Sequence, residues 1–177
     1  MKYFNYLPIL YILLVVLRLG FMSQRIFHHY SGTDPEFKDY SETWYFMGKI
    51  KGINLKNNVR IGFTNIKDRN VAGYCNYGLF FNEIDIDRAH WKQSNSWEKM
   101  NVVFHELTHC GCGRDHGYVV NGEKGEYLDT RKHLGSRGFF NDLCPKSLMF
   151  PQVLDSSCFQ THFEWYIDEM FEQCKPN

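Results

Sequence analysis

The 177-residue chain is 44% hydrophobic and 17% aromatic, enough apolar material for one compact domain and too much for wholesale disorder. Its 20 basic and 20 acidic residues cancel, which argues against the basic surface that bulk nucleic-acid binding requires.

Lys2 precedes an apolar run from Leu7 to Met22 (LPILYILLVVLRLGFM) that is broken only by Arg18. A spanning helix needs roughly 20 apolar residues, so this run is short, and with its positive start it reads as the apolar region of a secretory signal. Gly20-Phe21-Met22-Ser23 is a poor cleavage site, so a removed signal peptide and an uncleaved membrane anchor both fit residues 1–22. A buried N-terminal helix is the plainer alternative. Either membrane reading places the remainder outside the cytoplasm, with membrane association possible through this segment. Residues 23–33 read as a connector, and 34–177 as the folded domain. Six cysteines (Cys75, Cys110, Cys112, Cys144, Cys158 and Cys174) all follow the apolar run. In an oxidising compartment they form up to three disulfides, in about 15 possible pairings. Cys110 and Cys112 as metal ligands is a competing reading, weakened because Cys-x-Cys is not the usual two-residue-spaced knuckle.

Asp34-Pro35-Glu36 reads as a helix start, with a cap, a first-turn proline and an early acid. Phe37, Tyr40, Trp44 and Met47 then recur at helical spacing as core positions, and Gly48 and Gly52 are expected to end the helix. From Val59 to Asp87 the period changes to two. Val59, Ile61 and Phe63 alternate with Arg60, Gly62 and Thr64, while Ile84 and Ile86 alternate with three acids. One or two further strands are expected between Val71 and Phe81. Asn95 and Glu98 then make a capping-box start to a helix with an apolar face of Met100, Val103, Phe104 and Leu107, and Gly111 is expected to stop it. Residues 112–150 read as loop-rich. A final helix is expected from about Ser157 to Gln173, with Phe159, Phe163, Ile167, Met170 and Phe171 on one side. The fold class is α+β: an N-terminal helix, a small mixed sheet, a central helix, a loop-rich segment and a C-terminal helix.

The central helix carries His105-Glu106-Leu107-Thr108-His109. A spacing of four puts both imidazoles on one face, where they can share an ion. Glu106 sits about 100° round the helix from His105, so it can flank that ion as a general base without ligating it. The plain alternative is an amphipathic helix with polar residues outward. A third histidine, His116, follows a glycine break, and three protein ligands with a fourth position open is what catalytic zinc requires. A closed structural site would want a fourth ligand, and none is obvious.

The segment HELTHCGCGRDH resembles the HExxHxxGxxH signature of metzincin zinc peptidases, and Lys146-Ser147-Leu148-Met149-Phe150-Pro151 resembles their downstream Met-turn. The resemblance covers residues 83–173 at most. It implies a metzincin-like fold, a Zn2+ cofactor, a peptide or protein substrate and Met149 as the hydrophobic floor of the site. Position 112 departs from the pattern, being Cys where Gly is expected. In strict register the third ligand would be Asp115, with His116 one residue late. His116 is preferred because imidazole is the commoner partner in such sites, leaving Asp115 to orient an imidazole. A thermolysin-like arrangement would instead recruit Glu164 of a Glu164-x-x-x-Asp168 frame. Tyr118, Tyr127 and His133 are the candidates for stabilising an oxyanion. The metzincin comparison implies that strand 83–87 is the edge on which an extended substrate pairs, although its acids also suit a solvated face. From a different functional class, a non-catalytic membrane-associated interaction protein that keeps a zincin scaffold is the alternative. The intact Glu106 speaks for catalysis.

Overall fold

The computed structural model describes residues 32–55, 58–116, 118–120, 123–125, 139–172 and 174. The expected segment 1–22 and all but the last two residues of the expected connector 23–33 therefore lie outside the described residues. Among those described, no helix is long and apolar enough to cross a membrane.

Asp34 starts the domain as expected, its side chain accepting from the Glu36 backbone N–H above a short 3-10 turn, Pro35–Phe37. Helix α1 (Lys38–Ile50) follows. Gly48 does not end it but lies buried inside it, where a Cβ would collide with Leu55; Gly52, at φ 75°, is the residue that turns the chain. Strand β1 (Val59–Thr64) turns Val59 and Ile61 inward. The 71–81 region holds one strand, β2 (Gly73–Asn76), and β3 (Asn82–Asp87) completes a sheet of order β1-β3-β2.

β3 is thus the central strand, not the edge, pairing parallel to β1 (Ile61 with Ile84) and antiparallel to β2 (Cys75 with Ile84). Its acids are correspondingly not a solvated face. Asp85 and Asp87 are both buried: Asp85 accepts from Asn76 Nδ2 at 2.7 Å, and Asp87 caps α2 (Arg88–Gln93) through the His90 N–H. The exposed edge next to the central helix is β2.

Helix α3 (Ser96–Cys112) is the axis of the domain, packing on β2 and β3, on α1 and on α4 (Ser156–Thr161). Its predicted capping box is present, with the Asn95 side chain accepting from the Trp97 and Glu98 N–H groups and Glu98 accepting from Asn95 N–H. Gly111 does not stop it: the glycine lies within the last turn, where a Cβ would come 2.6 Å from the Trp44 ring. The stop is Gly113, which takes the left-handed conformation (φ 65°) that closes helix C-termini. A short antiparallel pair, β4 (Tyr118–Val120) and β5 (Glu123–Gly125), follows. The expected C-terminal helix is two helices, α4 and α5 (Phe163–Glu172), broken at His162. Phe159, Ile167, Met170 and Phe171 are buried as expected, joined by Tyr166.

Three disulfides use all six cysteines. Cys75–Cys110 staples β2 to α3, Cys112–Cys174 ties the end of α3 to the chain after α5, and Cys144–Cys158 joins the 139–151 segment to α4. Cys110 and Cys112 are therefore bridge partners rather than metal ligands. Closing loops of 14 to 62 residues stabilises by roughly 3–4 kcal/mol per bridge in the chain-entropy account.

Candidate functional site

The spacing of four on α3 brings His105 and His109 together, and the chain that leaves the helix at Gly113 returns His116 to them. The Nε2 atoms of His105 and His109 lie 3.1 Å apart, as do those of His105 and His116. The three form a group of ligand atoms within 4.8 Å of one another.

The other ring nitrogens decide what this closeness means. His105 Nδ1 donates to the Leu148 carbonyl at 2.8 Å, and His109 Nδ1 donates to the Arg114 carbonyl at 2.5 Å. A carbonyl can only accept, so each Nδ1 carries the proton and each Nε2 is a bare lone pair. Burial presses both rings toward the neutral form, His105 down to about 3 and His109 to about 4, with neighbouring cationic groups adding to the shift. Burial also lowers His116, opposed by Asp115. At neutral pH the 3.1 Å contact between His105 and His109 thus sets two lone pairs against each other with no hydrogen between them. A shared cation relieves that repulsion. Zinc–nitrogen bonds of about 2.0–2.1 Å in a tetrahedron would set nitrogens roughly 3.3–3.4 Å apart, so the residues present fit a zinc ion with little adjustment.

Glu106 is buried beside them, and its Oε2 has no hydrogen-bond partner among the described residues. Desolvation pushes its carboxyl up to about 8. Gly73 of β2 makes room for it: a Cβ there would lie 3.1 Å from Glu106 Cγ. Two cavities meet at this carboxylate. One, of about 120 Å³, is walled by residues 70–73, Asn101 and residues 151–153; the other, of about 220 Å³, lies between Tyr74, Tyr77 and the His109–Asp115 side.

The remaining predicted residues fall as follows. Asp115 is exposed and is not one of the grouped ligand atoms, which number His105, His109 and His116. Met149 is fully buried yet outside the main apolar cluster, one residue after the Leu148 carbonyl that holds His105. Glu164 is exposed on α5 and is not in that group, and Asp168 pairs with Lys51 instead. Tyr127, His133 and the side chain of Tyr118 lie outside the described residues.

Sequence reasoning missed four participants. Tyr77 donates its hydroxyl to the His109 carbonyl at 2.8 Å. Arg114, Ser147 and Glu169 form a buried network behind the histidines, in which the Glu169 carboxylate accepts from the Arg114 guanidinium, from Ser147 Oγ at 2.9 Å and from the Leu148 N–H at 3.1 Å. The one available signal was an acid, Glu169, set between the core residues Tyr166 and Met170. No protein-family model, curated protein or solved structure matches the chain.

Proposed function

We propose that this chain is a zinc-dependent peptidase of the metzincin type, with His105, His109 and His116 as ligands and Glu106 as general base. The observation that carries the reading is the pair of bare Nε2 lone pairs 3.1 Å apart, each enforced by an Nδ1–H bond to a backbone carbonyl. Such an arrangement is costly without a cation and favourable with one. Bound there, zinc would supply Lewis acidity, lowering the pKa of water toward neutrality and polarising a carbonyl oxygen.

The chain's own residues do the rest. Glu106 takes a proton from the attacking water and returns it to the leaving amine, the two-way transfer that a single carboxyl beside the attacked carbonyl performs. β2 offers an extended substrate an edge to pair with, since among the described residues β3 occupies only one of its sides and residues 70–73 border the cavity at Glu106. Met149 is the floor residue on this reading. The three disulfides support an extracytoplasmic setting, with residues 1–22 as signal or anchor.

The test is zinc content and cleavage of an unstructured protein, using the full chain folded under oxidising conditions beside Glu106→Gln. One zinc per chain in both proteins is expected, with chelator-sensitive cleavage that falls by about 10²–10⁴-fold in the variant. Undiminished cleavage by Glu106→Gln removes the base role. One zinc with no cleavage in either protein favours the scaffold reading, and a folded chain that takes up no zinc ends the metal reading.

A further inference from the structure

Glu169 is 3% exposed on the inward side of α5. A carboxylate that deep persists only when its oxygens are occupied. Its Oε1 accepts from the Arg114 guanidinium and from Ser147 Oγ, and its Oε2 accepts from the Leu148 N–H. Arg114 Nη1 further donates to the Glu169 and Met170 carbonyls at 2.7 and 3.1 Å. One side chain thereby grips two segments that are far apart in sequence, the turn after α3 and the 147–148 turn. Each segment presents one carbonyl to one imidazole: Arg114 to His109, Leu148 to His105.

We propose that Glu169 is a positioning residue of the histidine site, fixing through Arg114 and the 147–148 turn both carbonyls that aim His105 and His109. The link is directional. A carbonyl held in place accepts only from Nδ1–H, and a neutral ring with its proton there must present a bare Nε2. Partners behind metal-ligating imidazoles set tautomer and orientation in this way. Without the carboxylate, the guanidinium is buried with no counter-charge and the Leu148 N–H has no acceptor, so both segments shift and the carbonyls go with them. The metal consequence rests on the function proposed above; the tautomer consequence does not.

The experiment therefore reads both. Long-range ¹H–¹⁵N spectra of the metal-free, disulfide-intact full chain assign the imidazole tautomers, and competition with a chromophoric chelator gives the zinc Kd. The wild type should show Nδ1–H at His105 and His109. Glu169→Gln should show mixed tautomers at both rings and bind zinc 10–100-fold more weakly. A paired Arg114→Met/Glu169→Met variant removes both charges at similar volume and should recover thermal stability. A merely structural role predicts that it also recovers tautomer and affinity; the positioning role predicts that both stay disturbed. If Glu169→Gln does not fold, the paired variant and Ser147→Ala carry the test, the latter with a change of about 3-fold in Kd. Wild-type tautomers and affinity in a folded Glu169 variant overturn the proposal, as does a wild type lacking Nδ1–H at these rings. A wild type with the expected tautomers and no zinc affinity overturns the metal reading and leaves the positioning role standing.

Discussion

Two sets of residues buried around α3 are built from different materials. Toward α1 and the sheet, Phe37, Trp44, Ile61, Ile84, Ile86 and Trp91 are almost fully buried, with Phe37 set 4.5 Å from the Phe63 ring and 4.7 Å from Trp91. A second set is polar: Asn101, His105 and Glu106 on α3, with Arg114, Ser147 and Glu169, which lie among buried apolar residues of α5 and the 147–149 turn. Burying an apolar side chain of that size stabilises by about 1.5–3 kcal/mol, whereas a buried polar group at best breaks even through its hydrogen bonds. Among the described residues two atoms of this set, Asn101 Nδ2 and Glu106 Oε2, lack even that, as does His90 Nε2 on α2. The first region supplies stability; the second uses it, with the help of disulfides at its margins, to hold groups in positions they would not choose.

The largest test of this division is Trp44→Ala. Trp44 is fully buried, its ring lies against Gly111 and its Nε1–H donates to Met170 Sδ at 3.1 Å. Truncation should cost about 3–5 kcal/mol and lower Tm by roughly 10–15 °C in thermal unfolding with the disulfides intact. Zinc affinity measured well below that Tm should stay within about 2-fold of wild type. A large loss of affinity would mean that the two regions are one mechanical unit, and the comparison would fail.

The polar region has its own signature in pH. His105 and His109 sit below their unfolded pKa of about 6.5, so between pH 6.5 and 4.5 the unfolded chain holds two protons that the folded chain does not, and His116, also lowered, adds to them. Glu106 sits above its unfolded value, so up to about pH 8 the folded chain holds one proton that the unfolded chain lacks. In the acid window the balance is at least one extra proton on the unfolded state, and stability falls as pH drops. Between pH 6.5 and 8 the extra proton is on the folded state, and stability falls as pH rises. Metal-free protein should therefore be most stable near pH 6.5 and lose about 1.4 kcal/mol per pH unit on the alkaline side and at least that on the acid side, followed by denaturant unfolding after chelation. Glu106→Gln should flatten the alkaline limb and steepen the acid limb, where the Glu106 proton no longer offsets those of the histidines. A profile without the alkaline limb in the wild type would show that Glu106 ionises freely in the fold.

What could be read in the sequence divides along the same line. The apolar side announces itself through period: Phe37 and Trp44 at helical spacing, Ile61, Ile84 and Ile86 at spacing two, and the Asn95–Glu98 box that starts α3. His105 and His109 follow from helix geometry, and His116 from the chain's need to turn after the helix. Strand order does not follow from alternation, so β3 could be placed in the sheet but not at its centre. Gly48 and Gly111 carry a composition that signals helix ends, yet what sets them is the close approach of Leu55 and Trp44, which only the folded chain supplies. Arg114 and Glu169 are 55 residues apart. Charged residues flanking apolar helices ordinarily face water, and no local rule pairs two of them inside.

The smallest expected effect cuts most directly at the idea that the polar side gives up stability. Asn101 is 1% exposed, one turn before His105 on α3, and its Nδ2 has no hydrogen-bond partner among the described residues. An unmet buried donor costs on the order of 1–3 kcal/mol, and leucine has nearly the same shape without the donor. Asn101→Leu should therefore stabilise the metal-free protein by about 1 kcal/mol, raising Tm by roughly 2–4 °C for a chain of this size. Because Asn101 walls the cavity at Glu106, the proposed peptidase activity should change in which side chains it tolerates beside the cleaved bond, read from the cleavage sites in an unstructured protein. A drop in Tm would show that the amide is satisfied in solution, and that Asn101 costs the polar set no stability.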